Sequence, residues 1–168
     1  MKTIIQKLLV IAALILLPYY GFSQLHEAHT SDLDVKGTYS IYIGSIYTQA
    51  QVQAKWGTPT TYWSGSSEFG LDKEYTYTQN QLINLFRFSD DGIFVFFYIR
   101  TSNFSVYTAF SGGIKVGDNI SRIQAIGLGT PVLKSNGKYY LHRNYSDDPL
   151  VFEHSNGVIT AISFDTSI

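Results

Sequence analysis

The chain contains no cysteine. That excludes disulfides, thiol catalysis and thiolate metal sites, and it excludes the lipid-carrying cysteine of an exported bacterial lipoprotein. Charge is sparse: twelve basic and thirteen acidic residues make up 15% of the sequence and nearly cancel. Such a balance gives no electrostatic footprint for nucleic acid or for an anionic membrane. Gly-x-Ser-x-Gly, His-Glu-x-x-His and glycine-rich phosphate loops are also missing, so the common hydrolase, zinc-protease and nucleotide signatures have no foothold. Beyond the first residues no apolar run reaches the roughly 20 residues a spanning helix needs.

What is present begins with a three-part export signal. Lys2 and Lys7 supply a positive start, Leu8 to Leu17 is unbroken apolar sequence, and Pro18 closes it. Gly21-Phe22-Ser23 places small residues where a signal peptidase reads, which puts cleavage before Gln24. The expectation is a signal peptide over 1–23 and a soluble exported protein, periplasmic or secreted, without a lipid anchor. Its loss removes two basic residues and no acidic one, leaving ten against thirteen and a formal charge of −3. Without disulfides, a domain of this size must rest on its hydrophobic core. Aromatic residues make up 15% of the chain, with 13 tyrosines, a mixture suited to sheets with aromatic faces.

Residues 24–36 are polar and aperiodic and read as a flexible leader. The remainder reads as one pattern stated twice, over 37–110 and 111–168. In the first copy a strand-like run, Thr38 to Ile43, precedes a short helix. Thr48 and Gln51 have capping-box spacing, Tyr47 and Val52 sit as a hydrophobic staple, and Val52 and Trp56 share a helix face. Gly57 and Pro59 end it. In the second copy Ser121 and Gln124 repeat the capping-box spacing, Ile-Gln-Ala echoes Val-Gln-Ala, and Gly-Thr-Pro recurs.

After each Gly-Thr-Pro the period becomes alternating, with a tight hairpin signalled at Asp91-Gly92, a pair suited to a type I′ turn, and further hairpins at Asn136-Gly137 and Asn156-Gly157. The expected fold is α+β: two tandem repeats of a short helix and an antiparallel meander, forming one curved sheet with helices on one side.

A glycine, a short helix ending in Gly-x-Pro, and a meander whose last hairpin carries Asx-Gly resemble the tandem-repeat proteins related to the β-lactamase inhibitory protein. The unit is similar, more distantly, to that of small outer-membrane assembly lipoproteins. The resemblance spans about Tyr39 to Phe164 and implies a curved sheet that binds proteins on its concave side. This chain lacks both the lipidated cysteine and the disulfides of those relatives, so only the scaffold and a bias toward protein partners carry over.

Alternation along Ile93 to Ile99 sets Ile93, Val95, Phe97 and Ile99 on one face, the expected seat of the helix. Phe94, Phe96 and Tyr98 then fall on the open face. Tyr75 and Tyr77 share a face of their strand, and Trp63 lies in the loop before it. Together Trp63, Tyr75, Tyr77, Phe94, Phe96 and Tyr98 form the expected protein-binding platform. The alternative is that these rings pack on one another or join repeats, as in a structural or envelope-assembly factor. A hydrolase with an unrecognised site is the second alternative.

Other polar groups read as structure. His26 and His29 stand near Asp32 and Asp34 in the leader. His26, third after the expected cleavage, has the position of an amino-terminal copper or nickel ligand. Cyclisation of Gln24 removes the amine that motif needs, and no metal or cofactor is expected. His142, Ser146, Asp147 and Asp148 lie close in sequence, but triads are assembled by geometry and Ser146 to Pro149 reads as a turn. The protein is expected to be no enzyme.

Overall fold

The computed structural model describes residues 33–67, 70–108, 111–126, 131–142 and 148–165. The expected signal peptide and the leader histidines lie outside them, as do Ser146 and Asp147. Among the described residues the protein is predominantly antiparallel β, in two sheets, with a single α-helix.

The smaller sheet holds β1 (Leu33–Lys36), β2 (Ser40–Tyr42), β7 (Ser105–Thr108) and β8 (Ser111–Lys115), in the order β2-β1-β7-β8. In the larger sheet the first four strands in sequence are β3 (Thr61–Ser67), β4 (Gly70–Gln79), β5 (Leu82–Ser89) and β6 (Phe94–Ile99). The other four are β9 (Val132–Leu133), β10 (Tyr139–His142), β11 (Pro149–Ser155) and β12 (Val158–Asp165). Their order is β3-β4-β5-β6-β12-β11-β10-β9, so two meanders meet at the antiparallel β6–β12 pair.

This corrects the expected α+β tandem repeat with a single curved sheet. What recurs between the halves is strand order, not the helix. The first helical segment, α1 (Gln49–Trp56), forms as its sequence reads. The Thr48 hydroxyl accepts from Gln51 N at 3.3 Å, and the Gln51 side-chain Oε1 accepts from Thr48 N at 2.8 Å. Gly57, at φ 85°, closes the helix with its N–H on Gln53 O. The second segment is a 3-10 helix, Ile120–Ile126. Its cap is Asn119, whose side-chain oxygen accepts from Ser121 N at 2.9 Å. Ser121 is thereby drawn inside the turn and cannot cap it. Ile120 N is also committed, to Gly157 O at 2.8 Å on the neighbouring hairpin.

The two sheets are tied in the same way on both halves. Gly44 N bonds Phe94 O and Phe94 N bonds Ser45 O; correspondingly, Gly117 N bonds Ile159 O and Ile159 N bonds Asp118 O. One hydrophobic cluster lies behind these ties. It takes Leu33, Val35 and Ile41 from the small sheet, Val52 and Trp56 from α1, and Phe86, Phe97, Phe152 and Phe164 from the large one. Each fully buried phenylalanine contributes about 1.5–3 kcal/mol relative to exposure.

Leu33 and Val35 also correct the leader. Residues 33–36 are a central strand of the small sheet, because Leu33 and Val35 are both inward and wholly buried around Asp34. A four-residue strand with charges at alternate positions carries too little periodicity to stand out from polar sequence.

Hairpin geometry follows the sequence in part. Asn156-Gly157 is a two-residue loop with both φ positive. At Asp91-Gly92 and Asn136-Gly137 only the glycine has positive φ, and each N–H returns to the carbonyl three residues back. These are longer loops ending in a left-handed glycine, not the two-residue turn expected at Asp91-Gly92.

Candidate binding surface

The large sheet has an inner face on the core and an outer face that no described strand or helix covers. Register assigns each candidate ring to one or the other. Trp63 pairs with Glu74, Glu74 with Arg87, and Arg87 with Phe96, which makes one cross-strand row on the outer face. A second row runs from Thr76 through Leu85 and Tyr98 to Ser163, then on to Val151 and Tyr140.

The six expected platform residues therefore divide. Trp63, Phe96 and Tyr98 are on the outer face. Tyr75, Tyr77 and Phe94 are on the inner face, which corrects the expectation that all six converge. Phe94 has no exposed surface and stacks on Phe88 with ring centroids 4.8 Å apart. Tyr75 is 1% exposed, and Tyr77 meets Trp56 and Phe104 edge-on. Burial raises both phenol pKa values, that of Tyr77 to about 12.

The split on β6 has one cause. Arg87 faces Phe96 while the next residue, Phe88, faces Phe94, so Val95 is an extra residue in the strand. This β-bulge reverses the alternation, sending Phe94 inward and leaving Phe96 outward. Phe97 and Ile99 seat the core as expected, but Ile93 and Val95 do not join it. The bulge puts Phe94 in their stead.

Trp63 is in β3 rather than in a loop, and it is 46% exposed. Its indole lies along the strand over Gly65: a Cβ there would stand 2.6 Å from ring atom Cζ2. The missing side chain lets the ring lie flat on the sheet. Beside it the Glu74 carboxylate accepts from Arg87 Nε at 3.2 Å, and the Arg87 guanidinium stands 5.0 Å from the Phe96 ring centre. The charges are thus spent on holding rings in place.

The other end of the face has the same construction. Lys134 Nζ is 4.2 Å from the Tyr140 ring centre, and Asn136 donates to the Tyr140 hydroxyl at 2.8 Å. Lys138 donates to Glu153 at 2.6 Å, and that hydrogen bond raises the lysine pKa. Leu85, Val151 and Tyr140 were not singled out from sequence. Arg87 offered the signal, because a charge between Phe86 and Phe88 marks the outer face of β5 and places Leu85 with it.

His142 lies in β10, and 143–147 are outside the described residues. No group of three or more potential metal ligands occurs among the described residues, and no described helix is long and apolar enough to cross a membrane. No protein-family model, curated protein or solved structure matches the chain.

Proposed function

We propose that this protein is an exported, non-enzymatic scaffold that binds another protein of the cell envelope or exterior on the outer face of its eight-stranded sheet. The observation that carries the reading is the outer-face aromatic set, Trp63, Phe96, Tyr98 and Tyr140, spread across a paired sheet. Aromatic rings held by neighbouring charges and strands lose little entropy on binding, which is what makes Trp and Tyr effective anchors. The ion pairs of this face, Glu74–Arg87 and Lys138–Glu153, are internally neutral. A partner of mixed apolar and hydrogen-bonding character fits it better than a strongly charged one.

The corrected site is narrower than the sequence implied. Tyr75 and Phe94 act in the core, and Tyr77 is half-buried against it. The working set is Trp63, Phe96 and Tyr98, joined by Leu85 and Tyr140.

The test is capture from native envelope and culture fluid, followed by an affinity measurement on whatever is retained. The baits are the wild-type protein, a Trp63→Ser/Tyr98→Ser variant, and a control variant at exposed Tyr39, which lies outside the large sheet. Losing two anchors should weaken binding at least 30-fold, the equivalent of about 2 kcal/mol. Equal retention by all three baits would remove the outer face from consideration.

A further inference from the structure

The inner side of the large sheet opens at the β4–β5 hairpin end into a cleft of about 470 Å³. It lies between the β1–β2 turn, the segment after α1 and the connection from β6 to β7. Trp56, Tyr77 and Phe104 form its floor, and Thr38, Thr58, Gln79 and Asn103 stand on its rim. The volume falls within the roughly 300–1,000 Å³ typical of small-molecule sites.

Three features narrow the ligand. Among the described residues, no charged side chain lines the cleft. An ionic ligand would therefore lose water without gaining a counter-charge, a costly exchange. The rim is polar throughout, which disfavours a lipid or any wholly apolar guest. The polar groups also divide into those bonded to another described side chain or backbone group and those that are not.

The deeper groups are committed to the fold. Asn84 is saturated by four hydrogen bonds, the Thr60 hydroxyl accepts from Thr78 N, and the Tyr77 hydroxyl donates to Gly57 O. The side chains of Thr38, Thr58, Gln79 and Asn103 bond to no described residue. Hydroxyls and carboxamides both donate and accept, so four of them around one opening suit a guest whose own groups do the same.

The floor is rigid. Trp56 Nε1 donates to Tyr39 O at 3.0 Å, and the indole is packed against Phe86, Phe94, Phe104 and Tyr77. Gly37 rests directly on it: a Cβ there would lie 2.9 Å from Trp56 Cδ1 and 3.1 Å from Phe104 Cε1. Trp56 is 8% and Phe104 4% exposed, so half-buried Tyr77 offers most of the open apolar surface. The ring of neutral donors and acceptors supplies the larger part of the contact, which suits a molecule edged with hydroxyls.

We propose that this cleft binds a neutral saccharide of one or two rings. The site is on the opposite side of the sheet from the protein-binding face and does not depend on it.

The experiment is a titration of the purified protein, followed by amide correlation NMR. The probes are glucose, N-acetylglucosamine and cellobiose, with galacturonate as the charged counterpart. At least one neutral sugar should give saturable shifts at millimolar concentration, centred on residues 38, 58, 79 and 103. Gln79→Ala/Asn103→Ala should weaken that sugar at least tenfold while leaving Tm unchanged, since neither side chain bonds to the described protein. Galacturonate should bind more weakly than the neutral sugars.

Absence of saturable shifts with every neutral probe overturns the proposal, as does tighter binding of galacturonate. Shifts centred on the Trp63 indole and abolished by Trp63→Ser overturn it too, by placing the sugar on the outer face.

Discussion

The carboxamide of Asn84 is closed on Thr101. Its oxygen accepts from Arg100 N at 2.8 Å and Thr101 N at 3.1 Å, while its nitrogen donates to the Thr101 hydroxyl at 2.9 Å and to Tyr77 O at 3.2 Å. Asn84 is 1% exposed and Thr101 5%, so the two side chains are shielded from water. One side chain on β5 thus satisfies two backbone donors that the chain frees when it leaves β6.

Removing that side chain strands buried polar groups, and the cost is that of leaving them unpaired rather than of one lost bond. Asn84→Ala should lower the unfolding free energy by roughly 2–4 kcal/mol, and Thr101→Val by about 1 kcal/mol. Urea denaturation of both and of the double variant measures the coupling. Because the two share a hydrogen bond, their effects should fall short of additive.

The two tryptophans divide the labour of the molecule and should behave oppositely. Trp56 is 8% exposed at the centre of the aromatic cluster, while Trp63 is 46% exposed on the outer face. Trp56→Ala should cost about 3–5 kcal/mol and Trp63→Ala less than about 1 kcal/mol. Emission of the Trp63→Phe protein should be blue-shifted and resistant to iodide quenching; that of Trp56→Phe should be red-shifted and readily quenched.

Asp34 is nearly buried in the small sheet, and desolvation raises its pKa above the ordinary 3.8 despite opposing help from Ser40 and Lys36. Below pH 3.8 the carboxyl is protonated in both states and carries no penalty. As pH rises, the unfolded chain ionises first, so the penalty builds up until pH passes the folded pKa and stays at its full value above it. Asp34→Asn should therefore be more stable than wild type at pH 7, with the difference shrinking toward zero below pH 3.8. Thermal melts of the two proteins from pH 3 to pH 7 check the sign.

Features stated by contiguous residues were legible in the sequence. The Thr48/Gln51 box and the Gly57 stop define α1, Val52 and Trp56 are its buried pair, and Asn156-Gly157 turns a tight hairpin. Features decided by pairing were not. The Val95 bulge carries no glycine or proline to mark it, and it alone reverses the fate of Phe94. The β4–β5 turn takes positive φ at Asn80 and Gln81, without the glycine that usually announces one. Asn119 outcompetes Ser121 as a cap because Gly157 already holds Ile120. Half of the expected platform was lost for the same reason: alternation tells which residues share a face, and only tertiary pairing tells which face is covered.

The binding claim is tested most directly by site-specific photocrosslinking in the native cell. A benzophenone amino acid is placed singly at Trp63, Tyr98 or Tyr140 on the outer face, and at Tyr39 or Ile46 as exposed controls beyond it. A partner seated on the outer face gives one common protein adduct from the three outer-face positions and none from the two controls. Adducts from the controls alone, or no adduct from any outer-face position in a folded, exported protein, would contradict the binding claim.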